Sequence, residues 1–413
     1  MESLSASKGP AFSLFAARFA YSLNWILAGA ILPLIQRSFQ ATIAEMGVVV
    51  GALIAGAGLF ALPAGVAAAR WGPKATALGG LAVMGLGSVA SGAAPSLLAL
   101  DASRFITGAG SAFFFAPALN LLSVTYRGNP RGWAIGLFNG GTSLGGAIGV
   151  VGGVELGIAL GWRPVFVLGG VLLLVVALVN LWALPSPIQA PRDAQRTGLG
   201  SPSRGSVFRS RALWILAIGL AGTFSVSVVV PQFLTSYVAT NHPQWGLESA
   251  SGVIALWYLA SFPGSLVGGT WFRSRGSRIS VLGVHGLVLG GLVALIPLLG
   301  FYPLLGTLLV GGGIIGSAYT LEYLLPTVAA EQWREQYSLA IGFLGTIQLL
   351  VSSGIVIIIG STASSFGFTD AWLLAALLSV LPLGMFLVAS SANGGSVPPR
   401  RRQARVLGSR LLN

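Results

Sequence analysis

The sequence contains no cysteine and very little charge. Without cysteine the chain cannot form disulfides, use thiolate chemistry or hold a cysteine-based zinc site. Charged residues make up 8% of the 413 residues, whereas soluble domains carry about 25%, so a water-facing surface cannot be built from them. Hydrophobic residues make up 54%, and the mean hydropathy is +0.83. This composition is typical of a chain that lies mostly inside a membrane.

Twelve apolar runs are long enough to cross a bilayer, because about 20 residues of helix span a hydrocarbon core of ~30 Å. These spans, numbered 1 to 12, cover residues 12–35, 45–68, 75–95, 97–124, 133–159, 164–184, 211–239, 250–272, 279–299, 302–327, 338–363 and 369–390. Span 1 is too long for the core of a cleaved signal peptide, so we expect it to stay as a membrane helix. The sequence therefore predicts an all-α integral membrane protein with twelve transmembrane helices.

The basic residues predict the orientation of these helices. Most of the 23 Lys and Arg residues fall in the two termini and in the loops that follow even-numbered spans. Arg37 and Arg163 lie in the other loops, and Arg18 and Arg104 lie within spans. Because cytoplasmic loops carry an excess of Lys and Arg, we expect both termini to be cytoplasmic. The expected location is the plasma membrane.

The spans divide into two groups of six, separated by a stretch rich in Pro, Ser, Gly and Arg that is typical of a flexible linker. The basic turn GVAAARWGPK at Gly65 returns as GTWFRSRGSR 204 positions later, and GWRPVF at Gly161 returns as GFTDAW 206 positions later. Two six-helix bundles in the same orientation are therefore predicted. The predicted segments are a cytoplasmic N-terminus (1–11), an N-terminal bundle (12–184), a cytoplasmic linker (185–210), a C-terminal bundle (211–390) and a basic tail (391–413).

The two basic turns resemble the loop motif of the major facilitator superfamily, which runs Gly, three variable residues, Asp, Arg, a variable residue, Gly and then basic residues. The matching positions are Gly65, Arg70, Gly72 and Lys74 in the first copy and Gly269, Gly276 and Arg278 in the second. Ala69 and Arg273 stand where the family has an acidic residue. RFITGAG, from Arg104, and GWRPVF extend the resemblance over most of the chain.

The resemblance implies a fold of two pseudo-symmetric six-helix bundles and transport by alternating access. It also gives the loop motif a role in conformational change, because the family's loop Asp pairs with neighbouring charges in the outward-facing state. Since this chain lacks that Asp, we expect Arg70 to meet lipid phosphates instead.

Few ionisable side chains lie inside the spans, where each costs about 2.5 to 3.5 kcal/mol on insertion scales. The resemblance places spans 1, 4, 7 and 10 around a central cavity, and these carry Arg18, Arg104 and Glu322. Glu322, between Tyr319 and Tyr323, is a candidate protonatable or gating carboxylate. Arg18 is a candidate to bind an anionic substrate group or to pair with Glu322 in one conformation. The alternative is a structural pair, or two groups that reach toward cytoplasmic water.

Other polar side chains within the spans are candidates for substrate contact or coupling. Arg104 matches the arginine that proton-linked members of the family carry in this helix; the alternative is an i, i+3 ion pair with Asp101. Candidates for hydrogen bonds to a solute are Asn24, Asn120, Gln232 and Tyr237. Each of these is equally a candidate for bonds between helices.

These features predict a secondary active transporter of a small solute, coupled to protons, and not an enzyme. Arginines outnumber carboxylates on the cavity helices, which favours uptake of a small organic or inorganic anion. The alternative is efflux of amphipathic compounds. Span 5 resembles the family's antiporter motif, but Val150 replaces its Pro, which argues against that alternative.

Two distant alternatives have less support. A passive channel would need a selectivity-filter loop, which the sequence does not offer. An intramembrane hydrolase would need GTSLG (Gly141–Gly145) on a sharp strand-to-helix turn, whereas it lies within a span. We expect a monomer with no cofactor, metal or nucleic-acid partner, whose basic tail RRRQAR meets anionic lipids.

Overall fold

The computed structural model describes residues 8–126, 129–184, 208–271, 278–330, 337–382 and 384. Each predicted span is mostly helical over its described part, and the exceptions lie near span ends or at breaks within spans. The helices, numbered like the spans, are α1 (Gly9–Ala30), α2 (Ile43–Trp71), α3 (Pro73–Gly92), α4 (Leu97–Thr125), α5 (Asn129–Leu160), α6 (Trp162–Ala183), α7 (Arg211–Asn241), α8 (Gly246–Trp271), α9 (Arg278–Leu295), α10 (Phe301–Ala330), α11 (Tyr337–Ser365) and α12 (Phe368–Ser379). Short 3₁₀ turns at Pro243–Trp245 and Ile296–Leu298 lie between helices. The predicted all-α fold is confirmed.

Helix length and composition agree with a membrane protein. Among the described residues, ten helices are long and apolar enough to cross a membrane, or up to eleven if a bent pair counts as one span. The bent pair is α1 and Leu32–Phe39, here called the α1 extension, which meet at 48°. The α12 helix is a shorter apolar helix over its described part. Most of the predicted linker and all of the tail lie outside the described residues.

The break after α1 follows from a proline. Pro33 has no backbone N–H, so it cannot donate to the Gly29 carbonyl one turn earlier. The helix bends between the two segments, as is usual where a proline interrupts the hydrogen-bond ladder. The freed Gly29 carbonyl becomes available to another helix.

Local sequence sets the helix ends. Thr42 caps α2 in a capping box, since its hydroxyl accepts from the Glu45 N–H at 3.2 Å and the Glu45 carboxylate accepts from the Thr42 N–H at 2.7 Å. At the end of α3, Arg163 Nη1 donates to the Ala94 carbonyl at 2.6 Å. At the end of α6, Lys74 Nζ donates to the Leu184 carbonyl at 2.6 Å. Cations are favourable at helix C-termini, so both basic residues hold the packing of neighbouring helices.

Helix pairing shows the repeat. In the N-terminal half α1 packs on α5, α2 on α4 and α3 on α6, and in the C-terminal half α7 packs on α11, α8 on α10 and α9 on α12. The halves meet along three seams, α1 with α7, α2 with α11 and α5 with α8. A shift of six helices maps these pairings onto themselves. The two pseudo-symmetric bundles are therefore confirmed.

The helices define two ends of the molecule. The basic end is the one at which odd-numbered helices begin, and the far end is the one at which even-numbered helices begin. The predicted orientation puts the basic end in the cytoplasm.

Gly161 and Gly367, which the sequence repeat pairs, have the same backbone conformation at the start of α6 and α12. Their φ/ψ values are +85°/166° and +97°/169°, a region that is essentially restricted to glycine. Replacing Gly161 with Ala should lower the free energy of unfolding by about 1–3 kcal/mol. Thermal unfolding of the purified protein in detergent measures this loss.

Gly152→Ala is the matched control for that prediction. Gly152 lies inside α5, and a Cβ there would meet nothing within 4 Å. We expect the melting temperature of the Gly152→Ala variant to equal or slightly exceed that of the unmodified chain, because Ala favours helix. Equal melting temperatures for Gly161→Ala and the unmodified chain would contradict the prediction.

Candidate functional site

Arg18, in α1 of the N-terminal half, is buried, with 6% of its surface exposed. Its Nε donates to Thr142 Oγ1 of α5 at 2.8 Å. Its Cζ lies 4.6 Å from the ring centroids of Tyr21 and Phe115 and 5.5 Å from that of Phe138. These distances are in the range of cation–π contacts. We call Arg18 and these four partners the Arg18 box.

The Arg18 box has an unused donor. Arg18 Nη1 is buried and has no hydrogen-bond partner among the residues that the structure describes. A buried donor without a partner is costly, and more so when it carries charge. Because carboxylates bind guanidinium groups through strong charge-assisted hydrogen bonds, the box can accept an anion at this nitrogen.

The Arg18 box lies beside the seam between the halves. Tyr258 of α8, in the C-terminal half, is close enough to Arg18 for an electrostatic interaction. The Tyr258 ring packs on Gly146 of α5, where an added Cβ would lie 2.6 Å from Cε1. Ser143 and Ser261 join the same two helices through a hydroxyl–hydroxyl bond of 3.0 Å. A ligand at Arg18 would therefore lie close to residues of both halves.

The predicted partner Glu322 and its neighbour Tyr323 lie within α10, but their side chains are outside the described part of the chain. The pairing of Arg18 with Glu322 therefore stays a prediction. Tyr319, one turn earlier, donates its hydroxyl to Ser227 Oγ of α7 at 2.8 Å. This bond lies within the C-terminal half.

Gln232 belongs to the far-end closure between the halves. Its Nε2 donates to the Trp25 carbonyl of α1 at 3.2 Å. One turn on, Thr235 Oγ1 donates at 2.6 Å to the Gly29 carbonyl, the acceptor that Pro33 leaves free. An added Cβ at Gly29 would lie 2.6 Å from the Gln232 Cα, so these helices touch backbone to backbone. Gln232 therefore lies at a close contact between the two halves at the far end.

The remaining candidates for hydrogen bonds to a solute are dispersed. Asn24 donates from Nδ2 to Ser88 Oγ at 2.7 Å, which ties α1 to α3. Tyr237 contacts His242 through its hydroxyl at 3.1 Å, near the far end of α7. Asn120 has an exposed side chain in the part of α4 nearer the basic end. The structure does not bring these three side chains together at the Arg18 box.

Arg104 is almost completely buried, with 1% of its surface exposed. Its Cζ lies 5.2 Å from the Phe166 ring centroid of α6, and its Nε and Nη1 have no hydrogen-bond partner among the described residues. The ion pair with Asp101 that the i, i+3 spacing suggested is wrong for this conformation. The Arg104 guanidinium packs on Phe166, while Asp101 Oδ1 is also left without a partner in the described chain. A coupling role for Arg104 stays a prediction.

The loop-motif residues have different environments. Arg70 is exposed, and Gly72 joins α2 to α3 with a φ of +87°. Lys74 holds the end of α6, as described above, and a Cβ at Gly65 would meet nothing within 4 Å. In the second copy Gly269 lies in α8 and Arg278 begins α9, whereas Gly276 lies outside the described residues. The role of this motif in conformational change stays a prediction.

Five members of the site were not predicted from the sequence. They are Tyr21, Phe115, Phe138, Thr142 and Tyr258, which come from four helices, and no pattern in one sequence shows that they meet around Arg18. Thr142 lies in GTSLG, which drew attention only as a rejected hydrolase motif. Within the described ranges, no group of three His, Asp or Glu side chains could hold a metal ion.

Several known proteins are similar in sequence to this chain. The chain is 27% identical to the 4-hydroxybenzoate transporter PcaK of Pseudomonas aeruginosa, over 91% of this chain and 90% of that protein. It is 26% identical to the 3-(3-hydroxy-phenyl)propionate transporter of Escherichia coli, over 79% and 81%. It is also 30% identical to the multidrug resistance protein Stp of Mycobacterium tuberculosis, over 59% of this chain and 41% of that protein.

The fold is similar to that of solved transporters. A bacterial homolog of the human lysosomal transporter Spinster, in an inward-facing and occupied conformation, superposes with a TM-score of 0.70 at 17% identity, over 94% of this chain and 98% of that one. A sequence profile of the Major Facilitator Superfamily matches residues 14–352. With this match over most of its length, the paired six-helix halves and the motif residues, the chain belongs to the major facilitator superfamily of membrane transporters.

Proposed function

We propose that this transporter carries a small aromatic carboxylate across the plasma membrane by alternating access, in the direction of uptake and together with protons. The observation that carries the proposal is the Arg18 box, in which a buried guanidinium keeps one nitrogen without a partner between aromatic rings. The guanidinium suits the carboxylate and the rings suit an aromatic body. Two relatives, the 4-hydroxybenzoate transporter PcaK and the 3-(3-hydroxy-phenyl)propionate transporter, agree with this substrate class.

The seams between the halves support alternating access. At the far end, α1 and α7 are joined by only two described side-chain bonds, from Gln232 and Thr235 to backbone carbonyls. Those bonds can be exchanged for water when the halves rock, since hydroxyl and amide groups hydrogen-bond equally to solvent. This movement would expose a ligand at the Arg18 box, which lies beside the α5 and α8 seam, to the opposite side of the membrane.

The orientation and the coupling ion are part of the same proposal. The basic end faces the cytoplasm because its loops hold most of the Lys and Arg residues. Glu322 is the proton carrier, since a carboxyl on a cavity helix is costly as an anion and can be carried across neutral. Proton entry down its gradient would then draw in the organic anion.

Uptake by proteoliposomes tests the proposal. With the purified chain, uptake of labelled 4-hydroxybenzoate should be faster when the outside is more acidic than the inside. Preloading with unlabelled 4-hydroxybenzoate should accelerate entry of the label, which a channel would not show. Glu322→Gln should remove the dependence on the proton gradient while counterflow continues. Unchanged gradient dependence in Glu322→Gln would contradict the proton role.

The alternative is efflux of amphipathic compounds, which the similarity to Stp supports. It predicts that cells containing the chain lose an amphipathic dye faster than cells without it, with no uptake of 4-hydroxybenzoate. The replacement of the antiporter Pro by Val150 makes uptake our preferred direction.

A further inference from the structure

A cavity with a cationic wall lies at the far end, away from the Arg18 box. Its volume is about 470 Å³, and its polar lining comes from Gln36, Arg37, Gln40 and Thr240. The first three belong to the α1 extension and the turn after it, and Thr240 belongs to the end of α7. The two halves therefore share this cavity, which we call the far-end cavity.

The chemistry of the lining suits a small anion. Arg37 is the only charged residue in the lining, and its side chain is exposed to solvent. Two amides and one hydroxyl add hydrogen-bond donors around it. Binding sites for small molecules have volumes of about 300–1,000 Å³, so the cavity is large enough for one.

Gln40 provides an independent observation. Its φ is +52°, the only positive value among the described residues other than glycine. The left-handed conformation disfavours a side chain, and helices that end this way usually use Gly or Asn. The repeat position 206 residues later is Gly246, with a φ of +73°. The second half uses glycine here, whereas the first half keeps a side chain, and that side chain lines the cavity.

The far-end cavity lies directly above the closure between α1 and α7. Thr240 is five residues beyond Thr235, which is about 7.5 Å along a helix, and Thr235 donates to the Gly29 carbonyl. When α1 and α7 separate, the two walls of the cavity separate with them. An anion held there would then be at the entrance of the opened path.

We propose that the far-end cavity is an external docking site for the carboxylate, which Arg37 holds before the halves open at this end. This step rests on the proposed uptake function for its direction, but binding at the cavity does not require transport. A docked anion raises the local substrate concentration at the entrance, so the site affects KM and leaves kcat unchanged.

Binding stoichiometry tests the docking site. Labelled 4-hydroxybenzoate, equilibrated with the purified full chain, should bind at two molecules per chain. Arg18→Gln should leave one, and Arg37→Gln should weaken binding of one of the two by about threefold to fivefold. The double variant should keep only the weakened site. Arg37→Gln should also raise KM for uptake by about threefold to fivefold, the size expected for an exposed ion pair. Arg37→Lys, which keeps the charge, should restore most of the affinity.

The outcomes separate this inference from the proposed function. One bound molecule that Arg18→Gln abolishes and Arg37→Gln leaves in place would overturn the docking site while the transporter function stands. One bound molecule that survives in Arg18→Gln and binds about threefold to fivefold more weakly in the double variant would support the docking site even if uptake failed. No binding by the unmodified chain would overturn both.

Gln40→Gly distinguishes a role of Gln40 in docking from a purely structural role. Glycine relieves the left-handed backbone, so the melting temperature should rise slightly, while the loss of the amide should raise KM for uptake in the same direction as Arg37→Gln. A higher melting temperature with an unchanged KM would mean that Gln40 has no part in docking, and together with an unchanged KM in Arg37→Gln would overturn the proposal.

Discussion

Arg18→Gln should lower kcat/KM for uptake of 4-hydroxybenzoate by about 30-fold or more. Truncating one partner of a buried, hydrogen-bonded charge pair costs about 2–5 kcal/mol, and each 1.4 kcal/mol is a factor of ten. The Gln amide is neutral and cannot compensate the carboxylate in a site where Arg18 is only 6% exposed. Uptake rates over a range of substrate concentrations in proteoliposomes give kcat/KM for each variant.

Two further variants show which property of Arg18 matters. Lys keeps the charge but loses the Nε bond to Thr142 and the flat contact with Tyr21 and Phe115, so it should recover only part of the activity. Thr142→Val should leave the charge and lower the affinity, since Arg18 loses the bond that positions it. Each variant is compared at equal protein content in the vesicles.

Arg211→Gln is the matched control for this prediction. Arg211 begins α7 at the basic end, and its side chain is exposed. Its removal changes the charge of the chain by the same amount as Arg18→Gln and should leave uptake unchanged. If both variants retain the same activity, Arg18 does not bind the substrate.

The helices and their repeat could be predicted because the bilayer restricts the choice. Predicted span 7 at 211–239 becomes α7 at Arg211–Asn241, and predicted span 11 at 338–363 becomes α11 at Tyr337–Ser365. Apolar length and basic loops are local properties, so a single sequence shows them. The bend between α1 and its extension was not predicted. A proline within a span does not by itself show a break, and the donor that the Gly29 carbonyl finds, Thr235, lies on another helix.

The site could be predicted only in part, because it depends on which residues meet across helices. Arg18 was a candidate because a charge inside a span needs a reason, and its burial is consistent with that reasoning. The rings around it come from positions 115 and 138, which carry no charge and follow no motif. The suggested Asp101–Arg104 pair failed for the same reason, since spacing along one helix does not reveal that Phe166 of another helix takes the Arg104 guanidinium.

The seam between α2 and α11 determines how the far end opens. Gly47 and Gly360 face each other across it, and an added Cβ at Gly360 would lie 2.8 Å from the Gly47 Cα. This contact joins backbone to backbone, so no side chain can move aside to relieve it. Ser353, about two turns earlier in α11, also donates to the Gly51 carbonyl of α2 at 2.9 Å. The close contact between α2 and α11 at the far end therefore depends on these two glycines, because a side chain at either position would force the helices apart.

Gly360→Val should open the far end. The clash penalises the closed arrangement by about 1–3 kcal/mol, as overpacking does, and leaves the open one unaffected, which shifts the equilibrium about 5–150-fold. The chain has no cysteine, so Thr235→Cys is a single reporter at a position with 0% exposure. A membrane-impermeant maleimide should label it at least about tenfold faster in Gly360→Val than in the Gly360 chain, while uptake falls. Gly354→Val is the matched control: it lies on the same helix, a Cβ there meets nothing within 4 Å, and labelling should stay slow. Equal labelling rates in Gly360→Val and in the Gly360 chain would mean that this seam does not control the far end.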